Sequence, residues 1–225
     1  MPQSTTTYAT ISSQCQNEMG DTGTDIWASA TLLSWVNEAT YDIIDDLMYY
    51  RAVPLFDYLL DSVECTLTND TESVDYDAAI SGATKTIYKL WKFTWNDRQV
   101  NYLDPDRWWE ATEEHLNPSN DTPYYTFSSD GTILIRPKPT TATTSDFYCW
   151  WVKQPTAMTA SDSVSSLSEP CARLYRYVVA RNYYRGRGNY KLSEYYDGKY
   201  EKLLRKILNP YRGGKLYRVQ STTKM

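Results

Sequence analysis

The stretch Tyr124-Tyr125-Thr126-Phe127-Ser128-Ser129-Asp130-Gly131-Thr132-Ile133-Leu134-Ile135 sets two runs of aromatic and β-branched residues on either side of an Asp-Gly pair. Such residues fit a pleated surface, and Asp-Gly accepts the positive φ angles of a tight hairpin, so two antiparallel strands are expected here. Arg136-Pro137-Lys138-Pro139 ends the second strand, because proline has no N–H to give to a ladder. Working outward, Thr86–Thr94 and Phe147–Lys153 share this composition, and Val63–Thr68 alternates at period two. Residues 69–84, acidic and glycine-containing, read as a loop. Leu103–Glu110 reads as a short helix with Asp104 at its N-cap, Pro105 in its first position and Trp108-Trp109 to pin it. The expectation for 62–154 is a small antiparallel β lobe.

Helical patterning flanks this lobe. Between residues 25 and 50, Ile26, Ala30, Leu33, Val36, Ile44 and Leu47 recur at three- and four-residue steps, with Thr24 or Asp25 as N-cap. After a Ser-rich linker (Ser161–Ser168), Glu169-Pro170 opens a helix over 169–185 lined by Cys171, Leu174, Tyr175 and Val178. Arg185-Gly186-Arg187-Gly188-Asn189 breaks it. A last helix over 193–208 follows, with Leu192, Tyr196, Tyr200, Leu203 and Ile207 on one side and Asn209-Pro210 as its stop. Residues 1–24, rich in Ser, Thr and Gln, read as a flexible N-terminal arm, and 211–225 as an extended C-terminal tail. The predicted class is therefore α+β: a three-helix bundle, one helix N-terminal and two C-terminal, with the β lobe inserted, all in one domain over 25–210.

The 225 residues suffice for one substantial core. No apolar run of about 18 residues is present, which excludes a membrane-spanning helix. The first thirty residues lack Lys, Arg and an apolar segment, so no secretory signal is expected and the protein stays where it is made. Cys15, Cys65, Cys149 and Cys171 are widely spaced and read as free thiols. Asn69-Asp70-Thr71 and Asn120-Asp121-Thr122 read as turns. Net charge is −5, but residues 1–85 carry fourteen acids against two bases, and residues 171–218 thirteen bases against three acids. Ten of the twenty-one tyrosines lie between Tyr175 and Tyr217. Tyr and Arg together are the residue types that dominate protein–protein hot spots.

Catalytic patterns are not found. The single histidine, His115, follows the short helix in a polar context and reads as a surface residue. No Gly-x-Ser-x-Gly elbow, phosphate-binding glycine loop, His-Glu-x-x-His or calcium loop occurs, so no catalytic, cofactor or metal residues are assigned. Glu110, Glu113 and Glu114 could supply a carboxylate pair for a cell-wall glycosidase, and read more simply as a solvated helix face. A nucleic-acid-binding module built on Arg185, Arg187, Lys191 and the nearby tyrosines is the stronger alternative to an assembly role. A pI near 5.0 runs against it.

The succession of short strings along the chain resembles one known family. Trp27 and Trp35-Val36-Asn37-Glu38-Ala39 precede Tyr102-Leu103-Asp104-Pro105-Asp106-Arg107-Trp108-Trp109 and Pro123-Tyr124-Tyr125. Then come Ile133-Leu134-Ile135-Arg136-Pro137-Lys138-Pro139, Tyr148-Cys149-Trp150-Trp151-Val152-Lys153, Leu167-Ser168-Glu169-Pro170, Val178-Val179-Ala180 and the Tyr195–Leu204 helix. Over about residues 25–210 this is similar to the head-to-tail adaptor (connector, neck) proteins of tailed bacteriophages; the acidic tract from Val53 to Ala83 supplies no matching string. The resemblance implies a structural virion protein at the head–tail junction, made in the bacterial cytoplasm, without enzymatic activity. It implies a ring, commonly of twelve copies, beneath the portal protein, with double-stranded DNA passing through the lumen unbound during packaging and ejection. The next tail or neck component would meet the β lobe. The tail with Tyr211, Arg212, Lys215, Tyr217 and Arg218 is the portal-binding segment on this reading, and Arg173, Arg176, Arg181, Arg185 and Arg187 lie at subunit interfaces. Acidic faces would line the lumen, and basic tails would pair with portal carboxylates.

Overall fold

The computed structural model describes residues 5–20, 29–67, 73–74, 87–108, 123–128, 132–138, 147–159, 161 and 163–211. The chain divides into two compact units, residues 1–58 with 155–225, and residues 59–154.

The first unit is helical. Its elements are α1 (Tyr8–Glu18), α2 (Ser29–Tyr49), then, beyond the second unit, α4 (Glu169–Ala172), α5 (Tyr175–Gly186) and α6 (Tyr190–Leu208). Helix α5 is central, packing against α1, α2 and α6. Its Tyr175, Val178, Val179 and Ala180 are buried together with Ile11 and Cys15 of α1, Val36, Ile43 and Leu47 of α2, and Leu204 of α6. The turn from α5 into α6 lies where the glycines foretold it. Gly188 sits at φ +72°, a conformation that favours glycine, and its N–H donates to the Arg185 carbonyl (3.0 Å) while that of Asn189 donates to Tyr184 (2.9 Å). Asn189 Oδ1 then accepts from the Leu192 N–H (3.3 Å), so α6 begins at Tyr190, three residues before the expected start.

Two stretches expected to be loose are built into this unit. Residues 8–18, placed by composition in a mobile arm, form α1: Tyr8, Ile11 and Cys15 recur at steps of three and four, a narrow stripe sufficient to bury one side of the helix. Thr7 caps it, and the Tyr8 N–H donates to the Ser163 carbonyl (2.8 Å). The Ser-rich stretch is equally fixed. Ser165, Ser166 and Ser168 are buried, Tyr58 Oη donates to the Ser166 carbonyl (2.6 Å), and the Asn37 amide clamps the backbone of Met158 through both of its polar atoms.

The second unit corrects the predicted architecture. The protein is α+β, but in place of a small antiparallel lobe inserted in a three-helix bundle the described residues form a curled, mixed sheet of seven strands, a half-barrel. The strands are β1 (Leu60–Glu64), β2 (Ser73–Val74), β3 (Ile87–Trp95), β4 (Arg98–Tyr102), β5 (Tyr124–Phe127), β6 (Ile133–Arg136) and β7 (Phe147–Lys153), in the order β1-β7-β3-β4-β5-β6-β2. Neighbours are antiparallel except β4 and β5, which run parallel, Asn101 opposite Tyr124. Helix α3 (Pro105–Trp108) lies in the connection between those two strands.

Strand β4 was missed because only Val100 of its five residues is buried. The signal for it was the turn: Asn96 and Asp97, at φ 49° and 60°, form the two-residue connection that the right-handed strand twist favours. The expected hairpin of β5 and β6 is present, with Tyr125 opposite Ile135 and Phe127 opposite Ile133. Residues 129–131, including Asp130-Gly131, lie outside the described residues. Along β7, Phe147, Cys149 and Trp151 enter the sheet core with Phe93, Val100, Ile133 and Ile135. Arg136 is buried, and its Nη1 donates to the Trp108 carbonyl (2.7 Å) while its guanidinium lies 4.7 Å from the Trp108 ring.

The packing of α1 generates a measurable expectation. Ile11→Ala removes a fully buried side chain and should lower the unfolding free energy by about 2–4 kcal/mol in urea titrations, whereas a mobile arm would leave it unchanged.

Candidate functional site

The chemistry of interest is the meeting of the acidic early segment with the basic, tyrosine-rich late one, and the helical unit brings them together. On α5, Arg181 reaches Asp42 Oδ2 of α2 (2.9 Å) and Asp197 Oδ1 of α6 (3.1 Å), and its guanidinium lies 5.5 Å from the Tyr200 ring. The Tyr200 hydroxyl donates to Asp46. Lys199 Nζ pairs with Glu18 Oε1 of α1 (2.7 Å), and the neighbouring Tyr196 hydroxyl donates to the Glu18 carbonyl (2.9 Å). One helical turn or so separates Tyr196, Lys199 and Tyr200, so α6 sets all three against α1 and α2.

Deeper in, the Tyr175 hydroxyl shares hydrogen bonds with Thr40 Oγ1 (2.8 Å) and Ser165 Oγ (3.1 Å). Burial sets the proton affinities. It raises Asp46 above the usual carboxylate range, against the opposing pull of the Tyr200 hydrogen bond and the Arg181 charge. It pushes Tyr175 up to about 12 and raises Tyr200 as well. Lys199 is raised chiefly by its hydrogen bond to Glu18.

The residues singled out for subunit contacts therefore have different settings. Arg181 is engaged within its own chain, its side chain only 15 % exposed. Arg176 lies over the Tyr177 ring (4.7 Å), with its buried Nε lacking a hydrogen-bond partner. Arg173, Arg185 and Arg187 are exposed, Arg187 resting over the Tyr183 ring at 4.7 Å. Of the tail residues, Arg212, Lys215, Tyr217 and Arg218, like the side chain of Tyr211, lie outside the described residues. So do Glu110, Glu113, Glu114 and His115. Among the described residues no group of three or more His, Cys, Asp or Glu could hold a metal ion, and no helix is long and apolar enough to cross a membrane.

Sequence reasoning detected the charge split without its pairs. Asp42, Asp46, Lys199 and Glu18 escaped because each has an ordinary place on a polar helix side, and only the packing of distant helices selects partners. The exposed tyrosines Tyr49, Tyr190 and Tyr195 also went unmarked.

The arrangement offers charge and aromatic surface, with ion pairs satisfied inside and basic residues presented outside. A comparison with curated proteins finds no match. The model of the SU10 adaptor protein family matches residues 6–222, nearly the whole chain.

Two expectations follow from this geometry. Arg181→Met removes a mostly buried guanidinium from between two half-exposed carboxylates and should cost about 1 kcal/mol in urea unfolding, while Arg205→Met, which loses only an exposed pair with Glu201, should cost under about 0.5 kcal/mol. The second concerns pH. Burial pushes Cys15 and Cys149 up to about 12 and Cys171 up to about 11, and Tyr175 and Lys199 are shifted in the same direction. A raised value means that the folded state holds the proton longer. The stabilisation is complete below about pH 8.5, where an unfolded thiol begins to ionise, and is lost as pH rises towards 12. Urea midpoints should fall above about pH 8.5, and a thiol reagent at pH 8 should label the chain only after denaturation.

Proposed function

The chain belongs to the SU10 adaptor protein family, a phage head-to-tail adaptor family, and we propose that it acts as one subunit of a ring that joins the portal vertex of the capsid to the tail. The observation that carries this reading is the reach of the family match, which takes in both compact units and the basic C-terminal segment. In the virion, such a subunit is structural: its work is to hold neighbours, and the genome passes through the ring lumen without specific recognition.

The electrostatics support this assignment of roles. Because Arg181 and Lys199 already satisfy Asp42, Asp197 and Glu18 within the chain, the helical unit can fold before it meets a partner. Arg185 and Arg187 at the helix turn are exposed and available for other chains, and the sequence beyond α6 adds the basic residues Arg212, Lys215 and Arg218. A basic tail suits the carboxylates of a portal surface, and many weak, salt-sensitive pairs repeated around a ring give firm attachment through avidity. Acidic surface facing the lumen would repel DNA and let it slide.

Truncation after Pro210 separates folding from docking. Since α6 ends at Leu208, which is buried, the shortened chain should keep its unfolding midpoint and lose co-sedimentation with portal-bearing capsids. A truncated chain that still docks would overturn the tail's role and leave family membership untouched.

A further inference from the structure

The turn between α5 and α6 carries charge and aromatic surface that the fold itself does not use. Arg185, Arg187 and Lys191 are exposed there, and no acid stands between Asn182 and Ser193. None of the three makes an ion pair or a side-chain hydrogen bond among the described residues. Of the acids that follow on α6, Asp197 pairs with Arg181 and Glu201 with Arg205, which leaves Glu194, exposed one turn beyond Lys191. The chain as a whole is acidic, but screening confines a charge to about 8 Å at physiological salt, so a ligand at the turn meets the local positive field.

The same turn is built on tyrosine. The rings of Tyr183, Tyr184, Tyr196 and Tyr195 follow one another at 4.9, 5.5 and 5.2 Å, the middle pair stacked almost parallel. At one end the Arg187 guanidinium lies over Tyr183 at 4.7 Å; at the other Lys199, which Glu18 neutralises, lies over Tyr195 at 4.7 Å. Stacking occupies the flat face of the Arg187 guanidinium and leaves its edge, where the N–H donors lie, for phosphate oxygens. Tyr190 is 66 % exposed and Tyr195 54 %, and Tyr190 makes no ring contact among the described residues. The Gly188 and Asn189 hydrogen bonds and the Asn189 cap hold the turn closed, so folding has already met the ordering cost of its backbone.

We propose that the α5–α6 turn binds single-stranded nucleic acid without regard to sequence, Arg185, Arg187 and Lys191 holding phosphates while Tyr190 and Tyr195 stack on unpaired bases. Unpaired cations set among exposed aromatic rings suit such a strand, since every base offers a π face and every linkage a charge. An acidic protein surface would satisfy the cations alone, and a duplex keeps its bases stacked on one another and away from the rings. The contact needs neither a second copy of the chain nor a portal, so it stands independently of the ring.

Fluorescence anisotropy of a labelled oligo-dT of about 20 nucleotides with the full-length protein tests it, a length that spans more than one such site. The protein should bind at low salt and release as salt rises. Arg185→Ala, Arg187→Ala and Lys191→Ala together should flatten the slope of log K against log salt by about 2. Tyr190→Ala should weaken binding at least ~5-fold and Tyr190→Phe should leave it near the original, as a stacking ring requires. Glu194→Lys should tighten binding, a gain that loss of folding does not explain. The basic residues beyond α6 are common to all these variants, so differences among them belong to the turn. Four results would each overturn the inference: no binding at low salt, a triple variant that binds like the original, a duplex of equal length bound as tightly as the single strand, or polyglutamate that displaces the labelled strand as well as unlabelled oligo-dT does at equal charge.

Discussion

The helical unit depends on burying α5, a helix too polar to be buried without help. Tyr175, Arg176 and Arg181 share it with Val178, Val179 and Ala180, and a tyrosine hydroxyl or a guanidinium taken from water without partners costs more than the aliphatic residues beside it return. Tyr175 finds Thr40 and Ser165, and Arg181 finds Asp42 and Asp197. Both sets draw on α2, so the register of α2 against α5 is set by polar matching as much as by apolar packing. The position of α6 follows through Tyr200 and Asp46, and that of α1 through Lys199 and Glu18.

Internal pairing of this kind changes how the uneven charge of the chain works. An acidic half and a basic half could have been two surfaces wholly reserved for other proteins. Instead the inner members neutralise each other across helices, and the outer members remain. Among them, Arg185 and Arg187 sit exposed on a capped turn.

The sheet unit obeys a different constraint. Its core is rich in aromatic residues, the Phe93 ring lying 4.8 Å from that of Tyr125 and 5.8 Å from that of Phe147. Aromatic rings of this size need strands on several sides to cover them, which a curled sheet of seven provides and a flat hairpin lobe would not. The short β4, with one buried residue, earns its place in the ladder through backbone hydrogen bonding to β3 and β5.

Local signals in the chain were sufficient for α2, for the hairpin of β5 and β6, for β7 over Phe147–Lys153, and for the break at Arg185–Asn189, because periodicity, turn residues and glycine act within a few residues of each other. The ordered run of short strings was sufficient for the family. Packing alone decided that α1 docks in place of a free arm, that the Ser-rich stretch is buried, that seven strands join in one mixed sheet, and which acid meets which base. Three apolar residues on α1, one on β4 and any single carboxylate on α2 carry too little local free energy to declare their structure. Only contacts between segments separated by more than a hundred residues, Thr40 with Tyr175 or Glu18 with Lys199, supply the rest.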